Sequence, residues 1–520
     1  MTITLHTSRP DASRRLFLRQ AGALSSLGAA SAPLALNLAA IGSAAAQSAS
    51  DYKAVVCLFL FGGNDSFNMV LPTDTASWTN YTAVRNQAPD SIALLAPGTA
   101  KTGSVGTSPE QLGGVLALTP TNAQGRSFAL HPVMGTLQTM FNTDKRLAIL
   151  PNVGPLVMPT TKTQYGEVSH PKPASLFSHN DQQNTWQSFK PEGAVQGWGG
   201  RMCDLLASQN GRAVFTSISG SGNAVWLSGQ TVQQYQVSTN GAIRMGADSG
   251  GRIFGSTDVA AAMQRIVSGT RGGHVFEGAL ASVAQRSIDA EATLRTALKP
   301  ASDQLFGTPA TNYNANTDPK LQFDNPTSGG KSVNNLAQQL QIVARMIDAS
   351  SSPGVNAKRQ VFFVSLGGFD THDNENRSHA ELMAKLAHAL RYFDTALGAM
   401  GARHKVTTFT ASDFGRTFTS NGDGTDHGWG AHHFVMGGAV KGGDLYGNFP
   451  VLGAKNSSNN NFDSSPNQIG NGSLLPETSV DQLGATIARW FGVPDSQLGD
   501  VFPNLANFNA SQRNLGFMQP

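Results

Sequence analysis

Acidic and imidazole side chains stand directly after strand-like hydrophobic runs at several separated places in this chain: Asp65 after VVCLFLFGGN, Asp370 and His372 after VFFVSLGGF, and Asp413 after VTTFTAS. His427 joins them within DHGWGAHH. In an open α/β sheet the residues just beyond the carboxyl ends of neighbouring strands converge on one crevice, so carboxylates and imidazoles at those positions can share a divalent cation. Asp370 and His372 are two residues apart behind Gly367-Gly368, near enough to bind a single ion. Asp65 follows Gly62-Gly63-Asn64, glycines that let the chain turn sharply off a buried strand; the alternative use of an Asp there is a turn or helix cap.

Asp413 is followed by Gly415 and Arg416, and an arginine so placed can grip two oxygens of a phosphate or sulfate in a fork, or pair with a neighbouring acid. Asp426, His427, His432 and His433 then crowd into eight residues between glycines. Hard and borderline donors at that density favour zinc, manganese, calcium or magnesium, one ion or two.

The elements needed to position these groups are legible as apolar patterns. Continuous Val/Ile/Leu/Phe runs at 54–61, 146–153, 212–217, 360–366, 406–411 and 434–440 predict strands covered on both faces, as in a parallel sheet between helices. Leu336, Leu340, Val343 and Ile347 fall on one helical face before the 360–366 run, and Leu382, Leu386, Leu390, Phe393 and Leu397 do so after it, the succession of a parallel crossover unit. The fold class is therefore α/β, a mostly parallel sheet flanked by helices on both faces. Polar stretches near 96–123, 307–331 and 456–473 predict long loop insertions, and the helical span 258–298 predicts a cap.

The chain has 520 residues, 56 glycines and only 14% charged residues, a composition that predicts a loop-rich globular domain over 47–520. Residues 1–46 predict a twin-arginine signal peptide: Arg14-Arg15-Leu16-Phe17, a weakly apolar run too rich in Gly, Ser and Pro for a stable membrane span, then Ala44-Ala45-Ala46 for cleavage. The expected location is periplasmic or secreted, with the twin-arginine translocase as partner during export and no stable membrane insertion after cleavage. Removing that segment takes away a net of three positive charges and leaves a neutral chain, which argues against nucleic acid. Cys57 lies inside an apolar strand pattern, the setting of a buried thiol, with a disulfide to Cys203 as the alternative in an oxidising compartment.

GGNDSFNMVLP, GGFDTH, and ASDFGRT through DHGWGAHHFVMGGAVKGGDLYG resemble the alkaline phosphatase and sulfatase superfamily, and within it the exported bacterial family of domain of unknown function 1501. The resemblance implies an alkaline-phosphatase-like fold and a metal site of Asp65, Asp370, His372, Asp413 and His427. It also implies hydrolysis of a phosphate or sulfate ester, with a small-molecule or saccharide ester as substrate. In such enzymes a Ser, Thr or modified Cys at a helix start is the nucleophile, which here points to Ser178 in LFSHND, with Ser66 second. One departure stands out: many phosphatases place a histidine directly after the Asp that is here Asp413, and this chain has Phe414, so one site lacks a ligand unless His432 or His433 replaces it. That departure motivates the alternative of a non-catalytic binding protein, for which Trp186, Trp198, Trp226 and Trp429 would stack on sugars.

Overall fold

The structure, a computed structural model, describes residues 51–242, 251–269 and 275–519. The signal peptide expected over residues 1–46 lies outside them. Among the described residues the main sheet has nine strands: β1 (Lys53–Phe61), β2 (Leu147–Gly154), β3 (Ser217–Ser219), β4 (Tyr235–Ser238), β5 (Gly241–Ala242), β6 (Arg359–Gly367), β7 (Val406–Ser412), β8 (Ala431–Met436) and β9 (Thr478–Ser479). Their spatial order is β9-β2-β8-β7-β1-β6-β3-β4-β5. β1 runs parallel to β6 and β7, β3 to β6, β4 to β3 and β9 to β2. β8 is antiparallel to both β7 and β2, and β5 to β4.

The continuous apolar character of β1 has a direct cause in its position. Ala54, Val56, Leu58 and Leu60 face one core with Leu340 and Val343 of α6 (Asn335–Asp348) and Leu386, Leu390 and Phe393 of α7 (Glu375–Ala399); the helices of nine residues or more preceding these are α1 (Thr75–Arg85), α2 (His179–Ser188), α3 (Trp198–Leu206), α4 (Thr257–Ser268) and α5 (Val275–Ala297). Val55, Cys57 and Phe59 face the other core with Trp198 and Met202 of α3 and Leu483 and Ile487 of α8 (Val480–Phe491). Alternation along the pleat thus sends the β1 side chains from Ala54 to Leu60 into helix-covered layers. Each buried Leu, Val or Phe contributes about 1.5–3 kcal/mol relative to exposure. Both cysteines are free and buried, each within the second of these cores.

Three expectations shift. The 212–217 run forms a 3₁₀ turn, Ala213–Phe215, and the strand begins only at Ser217. The 434–440 run begins earlier, at Ala431, and stops at Gly437, where any Cβ would lie 2.3 Å from the Val406 carbonyl. The helices of 258–298 lie beside the sheet's β5 edge, with Ala290 and Leu294 of α5 packed in the core that also holds Tyr235 and Val237 of β4. The polar insertions carry small antiparallel pieces: Leu116–Leu118 pairs with Phe128–Leu130, and Gln322–Asp324 with Lys331–Val333. No helix among the described residues is long and apolar enough to cross a membrane.

Candidate metal centre

The carboxyl edge of the central strands gathers the site. β1 leaves the sheet through Gly62 and Gly63, at φ +117° and +81°, and a Cβ on Gly62 would lie 2.4 Å from the Asp370 backbone nitrogen, so only glycine lets the two strand exits touch. Asp370 follows β6 and Asp413 follows β7. Because β8 runs the opposite way, its beginning lies at this same edge, and the hairpin of Arg416–Ser420 with Thr425–His427 just before it delivers His427. The first turn of α2 supplies His179.

Asp370 Oδ1 is the common neighbour of three imidazoles, with Nε2 of His372 at 3.1 Å, of His427 at 3.4 Å and of His179 at 3.5 Å. The Nε2 atoms of His372 and His427 are 2.9 Å apart. Each ring is held from behind through Nδ1: His179 by Asp413 Oδ2 at 2.6 Å, His372 by Asp426 Oδ1 at 3.3 Å, and His427 by the Phe177 carbonyl at 2.7 Å. Carboxylate and carbonyl oxygens only accept, so each Nδ1 carries a proton and each ring turns its Nε2 toward Asp370; a ring that is unprotonated there presents a lone pair. Lone pairs and a carboxylate oxygen at such distances repel unless a positive charge lies among them. Ligand atoms of His179, Asp370 and His427 all lie within 4.8 Å of one another, the spacing of a shared metal ion.

The electrostatics follow from these partners. Hydrogen bonding to Asp413 pushes the His179 imidazole above its usual range, against the opposing effect of burial. Burial lowers His427, and the charges of Arg416 and His179 add to it. Burial works to raise the Asp370 carboxyl, but Arg416, His179 and His372 outweigh it and hold it below the ordinary carboxylate range. Asp413 is fully buried; its Oδ2 also accepts from Gln183 at 2.8 Å and from the Gly62 N–H at 3.2 Å. Its Oδ1 has no hydrogen-bond partner, nor has His179 Nε2, two orphaned buried atoms at the site.

The expected ligands therefore divide. Asp370, His372 and His427 come together, and Asp413 stands behind His179 as its orienting carboxylate. Asp65 is not brought to this cluster. Its carboxylate is fully buried and forked by Arg85, Nη1 to Oδ2 at 2.6 Å and Nη2 to Oδ1 at 2.9 Å, and it caps the one-turn helix Ser66–Met69 through the Phe67 N–H. Burial opposes its ionisation, yet Arg85 brings the Asp65 carboxyl down to about 2. Glu375 beside them is pushed well up by burial and by Asp65. A guanidinium thus supplies the positive charge at Asp65, boxed by the rings of Phe67, Tyr81 and Phe418.

Arg416 offers no fork to a substrate. Its side chain is buried and spent on protein oxygens: Nη1 on Asp370 Oδ1 at 2.7 Å and Gly62 O at 3.2 Å, Nε on Thr425 Oγ1 at 3.3 Å, and Nη2 on the Thr425 carbonyl. It positions Asp370. Ser178 sits at the N-cap of α2 without making a cap bond, and its hydroxyl faces Asp181, whose carboxyl is lowered by the Glu192 N–H first and by Ser178 and Ser175 next. Ser66 is buried.

Phe414 fills the position after Asp413, its ring 4.8 Å from that of His179 and 4.6 Å from that of His427, and neither His432 nor His433 takes a ligand's place. Both lie inside β8, fully buried, their pKa values lowered by burial to about 3; His432 accepts from the Asn152 N–H, and His433 meets Thr410. The four tryptophans are buried as well, so none offers a face to a sugar. The residue missed by sequence reasoning is His179. Its signal was the imidazole adjoining Ser178 at a helix start, passed over in favour of the hydroxyl.

Residues 52–469 match the family described as protein of unknown function (DUF1501). No functionally curated protein matches the chain. Among solved structures it is similar to Ps i-CgsB in complex with k-i-k-neocarrahexaose, at 9% identity and TM-score 0.33, covering 90% of this chain and 78% of that one. It is also similar to the PsFucS1 sulfatase from Pseudoalteromonas sp., at 8% identity and TM-score 0.32, covering 93% and 76%.

Proposed function

Since the chain belongs to the family of proteins of unknown function DUF1501, we propose its activity from the site itself: a metal-dependent hydrolase of phosphate or sulfate esters, exported through the twin-arginine route. One observation carries the reading, the convergence of three imidazole Nε2 atoms on Asp370 Oδ1 with every Nδ1 tied to an oxygen behind it. Hydrogen-bonded orientation of each imidazole from its far nitrogen is the usual way ligating histidines are fixed. The donors also fit a divalent cation by charge: Asp370, Asp413 and Asp426 against Arg416 leave two negative charges. Three imidazoles and one carboxylate suit zinc or a similar borderline ion better than calcium or magnesium, which favour all-oxygen shells.

His179, Asp370 and His427 would hold the ion, with His372 on the open side; when bound, the ion supplies Lewis-acid polarisation of the ester oxygen. Arg416 keeps Asp370 aimed inward, and Asp413 holds His179 through Nδ1 so that Nε2 faces Asp370. His372 is 43% exposed, with its ring steadied by Asp426, so it is placed to receive or return a proton at Nε2 at the mouth of the site. Ser178, one residue before His179, remains the nearest hydroxyl in sequence and would act as nucleophile by turning away from Asp181. Purified full chain tests the proposal by metal analysis and by hydrolysis of aryl phosphates and sulfates. Metal at the site with chelator-sensitive hydrolysis is expected; natively folded protein that neither binds metal nor hydrolyses any ester rejects it. The alternative of a sugar-binding protein loses its stacking surfaces, because Trp186, Trp198, Trp226 and Trp429 belong to the core.

A further inference from the structure

The charges around this site bear on its substrate as well as its ion. Arg416 is the one guanidinium or ammonium group among the described residues hydrogen-bonded to Asp370, Asp413 or Asp426, and its donor nitrogens are spent on protein oxygens inside the fold. Arg85 is likewise fully buried and committed, to Asp65 and to the Thr417 carbonyl. A divalent ion brings the three carboxylates and Arg416 to neutrality and leaves no surplus positive charge.

The open side of the site is acidic. His372 is followed by Asp373, whose Oδ1 accepts from Asn374 Nδ2 at 2.8 Å, and Asp426 lies behind the same imidazole with its side chain 53% exposed. Asp423 is pinned there through its own backbone, its carbonyl accepting from the Glu375 N–H at 3.0 Å and its Oδ2 from the Asn374 N–H at 3.4 Å. A second negative charge on an incoming ester meets no guanidinium or ammonium in these contacts and must pass this acidic rim, and like charges a few ångströms apart repel appreciably even at an effective dielectric constant of about 20.

We infer that this site, resting on the hydrolase reading above, takes esters whose reacting group carries a single negative charge, a sulfate monoester or a phosphate diester, and discriminates against the dianion of a phosphate monoester. Asp373 and Asp423 are the specificity-determining residues.

The test uses the full chain loaded with zinc at a pH above 7, where an aryl phosphate monoester is a dianion because its second ionisation lies near 6. p-Nitrophenyl sulfate and methyl p-nitrophenyl phosphate distinguish the two monoanionic chemistries, with p-nitrophenyl phosphate as the dianion. At least one monoanion is expected to exceed the dianion tenfold or more in kcat/KM. Calorimetric binding of methyl phenylphosphonate against phenylphosphonate gives the same comparison without turnover, the monoanion binding at least tenfold tighter. Asp373→Asn with Asp423→Asn is expected to narrow that binding ratio severalfold while zinc affinity stays unchanged. If zinc binds and no ester is hydrolysed, the hydrolase reading fails while the phosphonate ratio still decides charge preference. Equal or tighter binding of phenylphosphonate, or preferred turnover of the dianion, overturns the inference.

Discussion

His179, His372 and His427 owe their aim to what stands behind them. Asp413, Asp426 and the Phe177 carbonyl each accept from an Nδ1–H and leave Nε2 facing Asp370, so a candidate ligand set can be disabled without touching one of its members. Asp413→Asn, which keeps the volume and removes the charge, is expected to weaken zinc binding about 10–100-fold by competition with a chromogenic chelator. Ser178→Ala is expected to leave that affinity unchanged and to reduce only turnover. Equal zinc affinity in Asp413→Asn and the parent would refute the orienting role. At this scale the convergence of Asp370, His372 and His427 was legible because glycine turns after strands are visible in one dimension. The destination of Asp65 was not, because its partner Arg85 closes a 20-residue loop and lies at the end of a helix with little apolar signature. Asp65, expected as a metal ligand, and Arg416, expected to grip an ester's oxygens, are each paired within the protein instead.

Strands and the hairpin set where those side chains start from. The hairpin that carries Arg416 and His427 is closed by backbone contacts too tight for any Cβ: one on Gly415 would fall 2.0 Å from the Gly430 carbonyl oxygen, and one on Gly428 would fall 2.6 Å from that of Arg416. Gly415→Ala must therefore spread the hairpin base, and is expected to lower stability by about 1–3 kcal/mol in denaturant unfolding, the range for overpacking a tight site, while lowering zinc affinity as well. An unchanged affinity in a destabilised variant would show that the hairpin does not set the position of His427. β1, β6 and β7 were legible nearly to the residue because both their faces are covered, which leaves uninterrupted apolar runs. β8 was not: His432 and His433 interrupt its pattern, and they belong to the strand because each ring finds a buried partner, the Asn152 N–H and Thr410. Antiparallel β8 is also what returns the chain to the carboxyl edge, a consequence of topology rather than of any local motif.

Across the whole molecule, burial of uncharged imidazoles makes stability depend on pH. His379 is depressed by burial to about 4 and His432 and His433 to about 3, with His131 well below its ordinary value for the same reason. A depressed folded pKa means that the stability is present above the unfolded value near 6.5 and is lost as pH falls toward the folded values, because the unfolded chain takes protons that the native state refuses. Each imidazole then costs up to about 1.4 kcal/mol per pH unit. Glu375, Glu477 and Asp481 act in the opposite sense, burial raising each carboxyl, Asp481 to about 7, so that they give stability at low pH that is lost as pH rises, but they are three carboxyls against four imidazoles. Tm is therefore expected to fall steadily from pH 7 to pH 4.5 in metal-free protein, with a shallower fall in His433→Gln; a Tm independent of pH over that interval would contradict neutral burial of these rings. The α/β layering was readable at this scale, since apolar runs and helical stripes report coverage. The order of nine strands and the arrival of α2 over the sheet edge were not, being set by packing among segments hundreds of residues apart.

Zinc stoichiometry and affinity of the purified full chain, measured beside a His179→Ala, His427→Ala double variant whose folding is verified by circular dichroism, bear most directly on the central claim. One tightly bound equivalent per parent chain and none in the double variant is the predicted result. Zinc bound equally by both proteins, or by neither, would contradict a metal centre built on His179, Asp370 and His427.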